Sequence, residues 1–168
     1  MADVFRLAER FMAMDAAAWA RHGNPWSVAT RFTVLPLIVL AIWSRVWLGW
    51  GALLPLALAL GWMWLNPRVF SRDYDGDNWG SKGVMGERIF IDHRGEVASH
   101  HVRMAKLLSW ASVPGLVVLA VGLWQLWPDW TVFGLILTVL PKVWFCDRMV
   151  WIYEDRRRAG KRMPGETE

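Results

Sequence analysis

Two apolar blocks, residues 32–65 and 107–145, flank a polar middle at 66–106, and a charged segment runs from 146 to 168. The first block is interrupted only by Arg45 and by Gly49 and Gly51. As one helix it would span roughly 50 Å against a hydrocarbon core of about 30 Å, so it must break near residues 44–51 and form a hairpin over 27–65. Its first arm is short unless it begins near Ser27 with Arg31 snorkelling outward, and a re-entrant hairpin is the alternative. Pro36 and Pro55 are expected to kink the arms. Asn66-Pro67 is expected to end the second arm, since the residue before a proline avoids helical geometry. Residues 107–127 carry no charge and would reach roughly 31 Å as a helix, a full span. Trp127-Pro128-Asp129-Trp130 reads as a tight turn, after which residues 131–145 return, with Pro141 and Lys142 marking the inner end. The helical pattern continues through Asp147, Trp151 and Glu154 towards Arg158.

At the other end, Val4, Phe5, Ala8, Phe11, Met12 and Trp19 recur at helical spacing, with Arg6, Glu9 and Arg10 on the opposite side. Residues 2–21 therefore read as a helix that lies in a membrane interface or packs on the protein's own loops. Asn24-Pro25-Trp26-Ser27 starts the next helix, with Asn24 as cap and Pro25 in the first helical position. The expected fold is all-α and polytopic: four transmembrane helices as two hairpins, an N-terminal interfacial helix, and a cytoplasmic C-terminal helix extension. The 168 residues form one domain, with hairpins at 27–65 and 107–145, a cytoplasmic loop at 66–106 and a cytoplasmic tail at 146–168.

Composition turns this pattern into a statement about solvent. The chain is 55% hydrophobic with 14 tryptophans, outside the usual range for a soluble domain of this length. Its formal charge of +4 comes from Lys and Arg at the edges of apolar segments, which suits a membrane surface and not nucleic acid. Four precede the first arm, one lies in the first turn, seven in the central loop, none in the second turn and seven from Lys142 onward. By the positive-inside rule the termini and central loop face the cytoplasm. Trp43, Trp47 and Trp50 at one turn and Trp124, Trp127 and Trp130 at the other would form the outer aromatic belt. Arg6, Glu9, Arg10 and Asp15 break any cleavable-signal pattern. The single cysteine, Cys146, excludes an intramolecular disulfide and a cysteine-rich metal site.

Candidate chemistry gathers in the polar middle and the last helix. His100-His101, with Glu87 and Asp147, makes a plausible Zn or Fe ligand set, although four histidines in all, counting His22 and His93, are too few for a membrane di-iron oxygenase. Asp147, Arg148, Trp151, Glu154 and Asp155 share adjoining faces of one helix, and charges among so many apolar residues need partners inside the protein. Glu87 with Arg148, or Arg88 with Asp147, would serve as a structural clamp. The candidate polar cluster is thus Glu87, Arg88, His100, His101, Asp147, Arg148, Glu154 and Asp155. Arg156, Arg157 and Arg158 are candidates for lipid headgroups. Asp73-Tyr74-Asp75-Gly76-Asp77-Asn78 lacks the glycine and glutamate of a calcium loop and reads as a solvated turn. Gly80, Gly83 and Gly86 come after no strand and make no phosphate loop.

Asn24-Pro25-Trp26-Ser27, Asn66-Pro67-Arg68, Asp77-Asn78-Trp79, Gly86-Glu87-Arg88, His100-His101 and Asp147-Arg148-Met149-Val150-Trp151 with Tyr153-Glu154-Asp155 together resemble an uncharacterised bacterial family of small, tryptophan-rich integral membrane proteins. The resemblance covers nearly the whole chain, carries no assigned activity, and implies a bacterial inner-membrane location. It singles out Glu87, His100, His101, Asp147, Glu154 and Asp155. The expected function is binding of a lipid, an amphipathic small molecule or a partner subunit, another copy included, through a polar cluster at the cytoplasmic face. The alternative is a metal-dependent membrane enzyme acting on a lipid-like substrate. A transporter is disfavoured because no ionisable residue falls near the middle of a span.

Overall fold

The computed structural model describes Leu7 and residues 11–163. It is 82% helix, with no strand among the described residues. Residues 2–6 and 8–10 of the stretch expected as an interfacial helix, including Val4, Phe5 and Ala8, lie outside the described residues. The helices in chain order are α1 (Ala16–His22), α2 (Pro25–Arg31), α3 (Val34–Trp43), α4 (Arg45–Leu48), α5 (Leu53–Val69), α6 (Trp79–Asp92), α7 (Ser99–Gln125) and α8 (Pro128–Arg158), with short 3-10 turns at Gly49–Ala52 and Arg94–Glu96. Two helical stretches are long and apolar enough to cross a membrane, Pro25–Val69 of 45 residues and Ser99–Gln125 of 27.

The first block breaks where the hydrophobic pattern requires. α3 ends at Trp43, and Gly49, at φ 53°, reverses the chain in a conformation that would strain any residue with a Cβ. Pro36 and Pro55 kink nothing. They fall in the first turns of α3 and α5, where a missing N–H has no intrahelical partner to lose. Pro67 does not end α5 either; the helix runs to Val69. Its C-terminal end is tied to the N-terminal segment: Arg68 donates to Met12 O as well as to Trp64 O within the helix, Arg21 donates to Arg68 O at 2.7 Å, and Asn24 donates to Ser71 O, two residues past the helix, at 3.2 Å. Arg68 also lies 3.9 Å over the Trp64 ring. The Asn66-Pro67-Arg68 motif is thus the anchor for the N-terminal segment.

α7 and α8 form an antiparallel hairpin along a seam of small residues. Gly115, Leu119 and Gly122 face Thr131, Gly134 and Thr138. A Cβ at Gly115 would lie 2.5 Å from Thr138 N, and one at Gly134 would lie 2.3 Å from Leu119 N. Close approach of this kind replaces the hydrophobic effect where the solvent is itself apolar. The threonines fit the seam because each hydroxyl bonds back into its own helix, Thr131 to Trp127 O at 2.8 Å and Thr138 to Gly134 O at 2.7 Å. Arg45 joins the two hairpins by donating to Leu123 O and, at 3.3 Å, to Trp124 O, the free carbonyls at the C-terminus of α7.

Leu54, Leu58, Val117, Phe133, Ile136 and Leu140 are exposed on the outside of these helices, which suits lipid as solvent. Trp110 and Trp124, and Trp130 and Trp144, are exposed pairs 14 residues apart. That is about four turns, so each pair shares a face with indoles roughly 21 Å apart along the axis.

The polar middle, expected as a loop, contains the 14-residue α6, and α7 begins at Ser99 instead of 107. The reason lies in packing. Ile89 and Phe90 from α6, Ala105 and Leu108 from α7, and Phe145, Met149 and Ile152 from α8 form the best-buried core. α8 continues unbroken to Arg158 because that face needs covering. Trp19 of α1 packs beside Val84 and Ile91 of α6 and is 6% exposed, so the described part of the N-terminal segment rests on the protein.

Candidate functional site

α6 is set in place by its cap and its glycines. Asn78 accepts from Ser81 N at 2.9 Å and donates to Asp75 O at 2.7 Å. Gly83 and Gly86 face α8, and a Cβ at Gly86 would stand 1.9 Å from Met149 O. Only glycine lets the two backbones meet there. Seated this way, α6 divides the polar end into two cavities: Gly80, Gly83, Val84 and Glu87 line one, while Ser81, Met85 and Arg88 line the other.

The first cavity, about 320 Å³, has walls of Val28, Phe32, Leu35, Ile38, Met63 and Val84, and its ionisable groups are His22, Arg31, Glu87, Lys142 and Cys146. An apolar cleft with a few convergent polar groups is the usual form of a small-molecule site. Behind it runs a directional chain of hydrogen bonds. Arg31 donates to His22 Nε2 at 2.6 Å; His22 Nδ1 is 3.2 Å from Ser27 Oγ; Ser27 donates to Asn66 Oδ1 at 3.0 Å; Asn66 Nδ2 donates to Thr30 Oγ1 at 2.8 Å; and Thr30 donates to Trp26 O at 2.7 Å. A guanidinium can only donate and Ser27 spends its proton on Asn66, so His22 is neutral with its hydrogen on Nδ1. Burial holds the His22 pKa well below its ordinary value, and the nearby Arg31 and Lys142 charges push the same way. Ser27 and Asn66 are fully buried and every polar atom named here has a partner.

The network thus ties Ser27 of the Asn24-Pro25-Trp26-Ser27 motif to Asn66 of the Asn66-Pro67-Arg68 motif, behind the residues that line the cavity. The chain belongs to DUF6653. That family, described as one of unknown function, matches residues 4–166. No curated protein and no solved structure is significantly similar to the chain.

In this DUF6653 chain the expected polar cluster is spread over separate pairs. His101 is 2% exposed, with Nε2 3.0 Å from Asp155 and Nδ1 3.5 Å from Arg148; His100 is exposed and tilts against its ring at 4.1 Å. Glu154 pairs with Lys82 at 3.0 Å. Asp147 accepts from the indoles of Trp79 at 3.2 Å and Trp151 at 3.3 Å. Arg88 reaches Asp92 at 3.6 Å, so neither the Arg88–Asp147 nor the Glu87–Arg148 clamp forms. The expected metal set does not converge: His101 is directed at Asp155, Asp147 at two indoles, and Glu87 into the apolar cavity. Among the described residues no three His, Cys, Asp or Glu side chains are grouped as metal ligands.

Of the headgroup candidates, Arg156 is engaged by Glu96 at 3.2 Å and Arg162 O at 2.8 Å, Arg158 reaches Asp155 at 3.7 Å, and Arg157 lines the second cavity. Glu87 is thus the one predicted site residue in the apolar cavity. It has no hydrogen bond or ion pair among the described residues. His22, Arg31 and Lys142 are the cavity residues that sequence reasoning passed over. The available signal was the position of His22 and Arg31 at either end of the segment that holds the Asn24-Pro25 start.

Proposed function

We propose that this protein is a four-span inner-membrane protein with cytoplasmic termini that binds an anionic amphiphile of lipid-like character in the cavity lined by Arg31, Glu87 and Lys142. The observation that carries the reading is the lining itself. Apolar walls accept a hydrocarbon body, while two cations, one carboxylate and a neutral histidine leave a local charge of 2 − 1 = +1 for an anionic head. Lys142 has no carboxylate partner among the described residues and lies 4.4 Å over the Phe145 ring, so its charge is available to a ligand.

The four-span arrangement is supported by α8, whose Val132, Phe133, Ile136 and Leu140 are exposed although the helix also carries charge. The matched tryptophan pairs on α7 and α8 support it as well, and the Lys and Arg bias supports the orientation. In a Cys146→Ser background, Tyr74→Cys should label only when reagent reaches the cytoplasmic side; labelling from outside intact cells would reverse the orientation.

The binding test is native mass spectrometry of protein released from mild detergent. Wild type should carry a lipid-mass adduct. Leu35→Trp, which fills the cavity, should lose it while its tryptophan-fluorescence melt stays cooperative. A bare wild-type spectrum, or an adduct that survives Leu35→Trp, would overturn the assignment.

A further inference from the structure

The second cavity, on the other side of α6, differs in size and charge. Its volume is about 940 Å³, and it is lined by Ala16 and Ala20 of α1, Arg72, Tyr74 and Asp77 of the connecting segment, Met85 and Arg88 of α6, and Tyr153 and Arg157 of α8, among others. Three guanidinium groups from three separate parts of the chain therefore border one space, with Asp77 as the only carboxylate lining it among the described residues, a balance of 3 − 1 = +2.

That carboxylate is already engaged. Asp77 holds Lys82 at 2.7 Å and Arg157 at 3.9 Å, and Lys82 is also bonded to Glu154 at 3.0 Å. The Lys82 hydrogen bond keeps the Asp77 carboxyl below its ordinary pKa, so it stays charged and committed. Arg88 meets Asp92 through Nε at a long 3.6 Å, and no hydrogen bond to its guanidinium occupies the fork among the described residues. Arg72 is exposed and makes no hydrogen bond or ion pair among the described residues. Like charges converging on a cavity repel unless an anion enters. A carboxylate offers two oxygens in one plane, whereas guanidiniums approaching from three different elements suit a tetrahedral anion whose oxygens point in several directions. The cavity is also far larger than one phosphate, and Ala16, Ala20 and Met85 add apolar lining beside the two tyrosines.

We propose that this cavity binds a phosphate ester, with Arg72, Arg88 and Arg157 on the phosphate and the organic part against Tyr74, Tyr153 and the apolar lining. It is separate from the amphiphile cavity and does not depend on it, since α6 lies between them and no residue lines both.

The full chain, reconstituted in phosphatidylcholine nanodiscs, is titrated with inorganic pyrophosphate and glycerol 3-phosphate. In a parallel arm it is titrated in neutral-detergent micelles with phosphatidylglycerol. Saturable binding in the first arm identifies a water-soluble phosphate, and binding confined to the second identifies a lipid headgroup; either supports the site. Arg72→Gln and Arg157→Gln should each weaken binding roughly tenfold or more, and wild-type affinity should fall as salt rises. Arg103→Gln, an exposed arginine of α7 outside the cavity, should bind as wild type does. Arg72 has no structural partner among the described residues, so its variant keeps the fold. No saturable binding in either arm, undiminished binding by Arg72→Gln, or an equal loss in Arg103→Gln would overturn the proposal.

Discussion

Replacing Gly86 with alanine tests whether the contact between α6 and α8 organises the polar end. The added Cβ would lie 1.9 Å from Met149 O and 2.6 Å from Met149 C, with Cα at 3.2 Å. These are backbone atoms of a long helix, so nothing small can swing aside and α6 must withdraw from α8. Withdrawal loosens Ile89 and Phe90 against Phe145 and Met149, four of the most buried side chains described. Overpacking costs about 1–3 kcal/mol, and the rigid partner argues for the upper end. Alanine returns at most ~1 kcal/mol of helix propensity, so the expected net loss is about 2 kcal/mol. The matched control is Gly61→Ala in α5, where an added Cβ meets nothing within 4 Å and the expected change is neutral or slightly stabilising. Both variants can be measured in mixed micelles by raising the SDS fraction and monitoring tryptophan fluorescence. If Gly86→Ala unfolds at the same midpoint as Gly61→Ala, the close approach is not a structural requirement and the two cavities are not separated as described.

The buried chain of hydrogen bonds carries two more expected outcomes. Asn66→Ala leaves the fully buried Ser27 without its acceptor and the half-buried Thr30 Oγ1 without its donor, and should cost about 1–3 kcal/mol by the same SDS midpoint; a change below the scatter of exposed-site variants would refute the network. His22 titrates lower in the folded chain than its ordinary 6.5, so the unfolded chain binds the extra proton. Its contribution to stability is therefore complete above about pH 6.5 and declines as the pH falls below that towards the lowered folded value. Subtracting the profile of His22→Gln from that of wild type should show this decline, and parallel profiles would mean His22 does not stay neutral in the fold.

Much of the architecture was legible because periodicity and length act locally. Helices, the break near Gly49, the Asn24-Pro25 start and a turn beside Trp127 each arise from a few neighbouring residues meeting hydrogen-bond or chain-reversal needs, although Pro128, Asp129 and Trp130, expected in that turn, already begin α8. The long apolar blocks were legible too, and the helical stretches Pro25–Val69 and Ser99–Gln125 that they form are long and apolar enough to cross a membrane. The errors came where a local rule met a distant partner. Pro67 forecasts a helix end, but Arg21, remote in sequence, bonds Arg68 O in the last turn and Asn24 bonds Ser71 O just past it. Gly80, Gly83 and Gly86 make no phosphate loop, and nothing local says that Val28, the Cys146 carbonyl and the Met149 backbone will press against them in turn.

The candidate site divides in the same way. Sequence could propose that Glu87, His100, His101, Asp147, Glu154 and Asp155 need partners, because charge among apolar residues must be compensated. It could not choose the partners, since helix rotation decides which side chains share a face with a neighbouring helix. Only the tertiary structure assigns His101 to Asp155 and Lys82 to Glu154, leaves Glu87 with Arg31 and Lys142 in the lining of an apolar cavity, and gathers Arg72, Arg88 and Arg157 on the other side of α6. Sequence alone determined the helices and their apolar stretches, which depend on short-range backbone and hydrophobic demands. The two cavities were decided by how tightly α6 could lie on α8, a distance set by the missing side chain of Gly86.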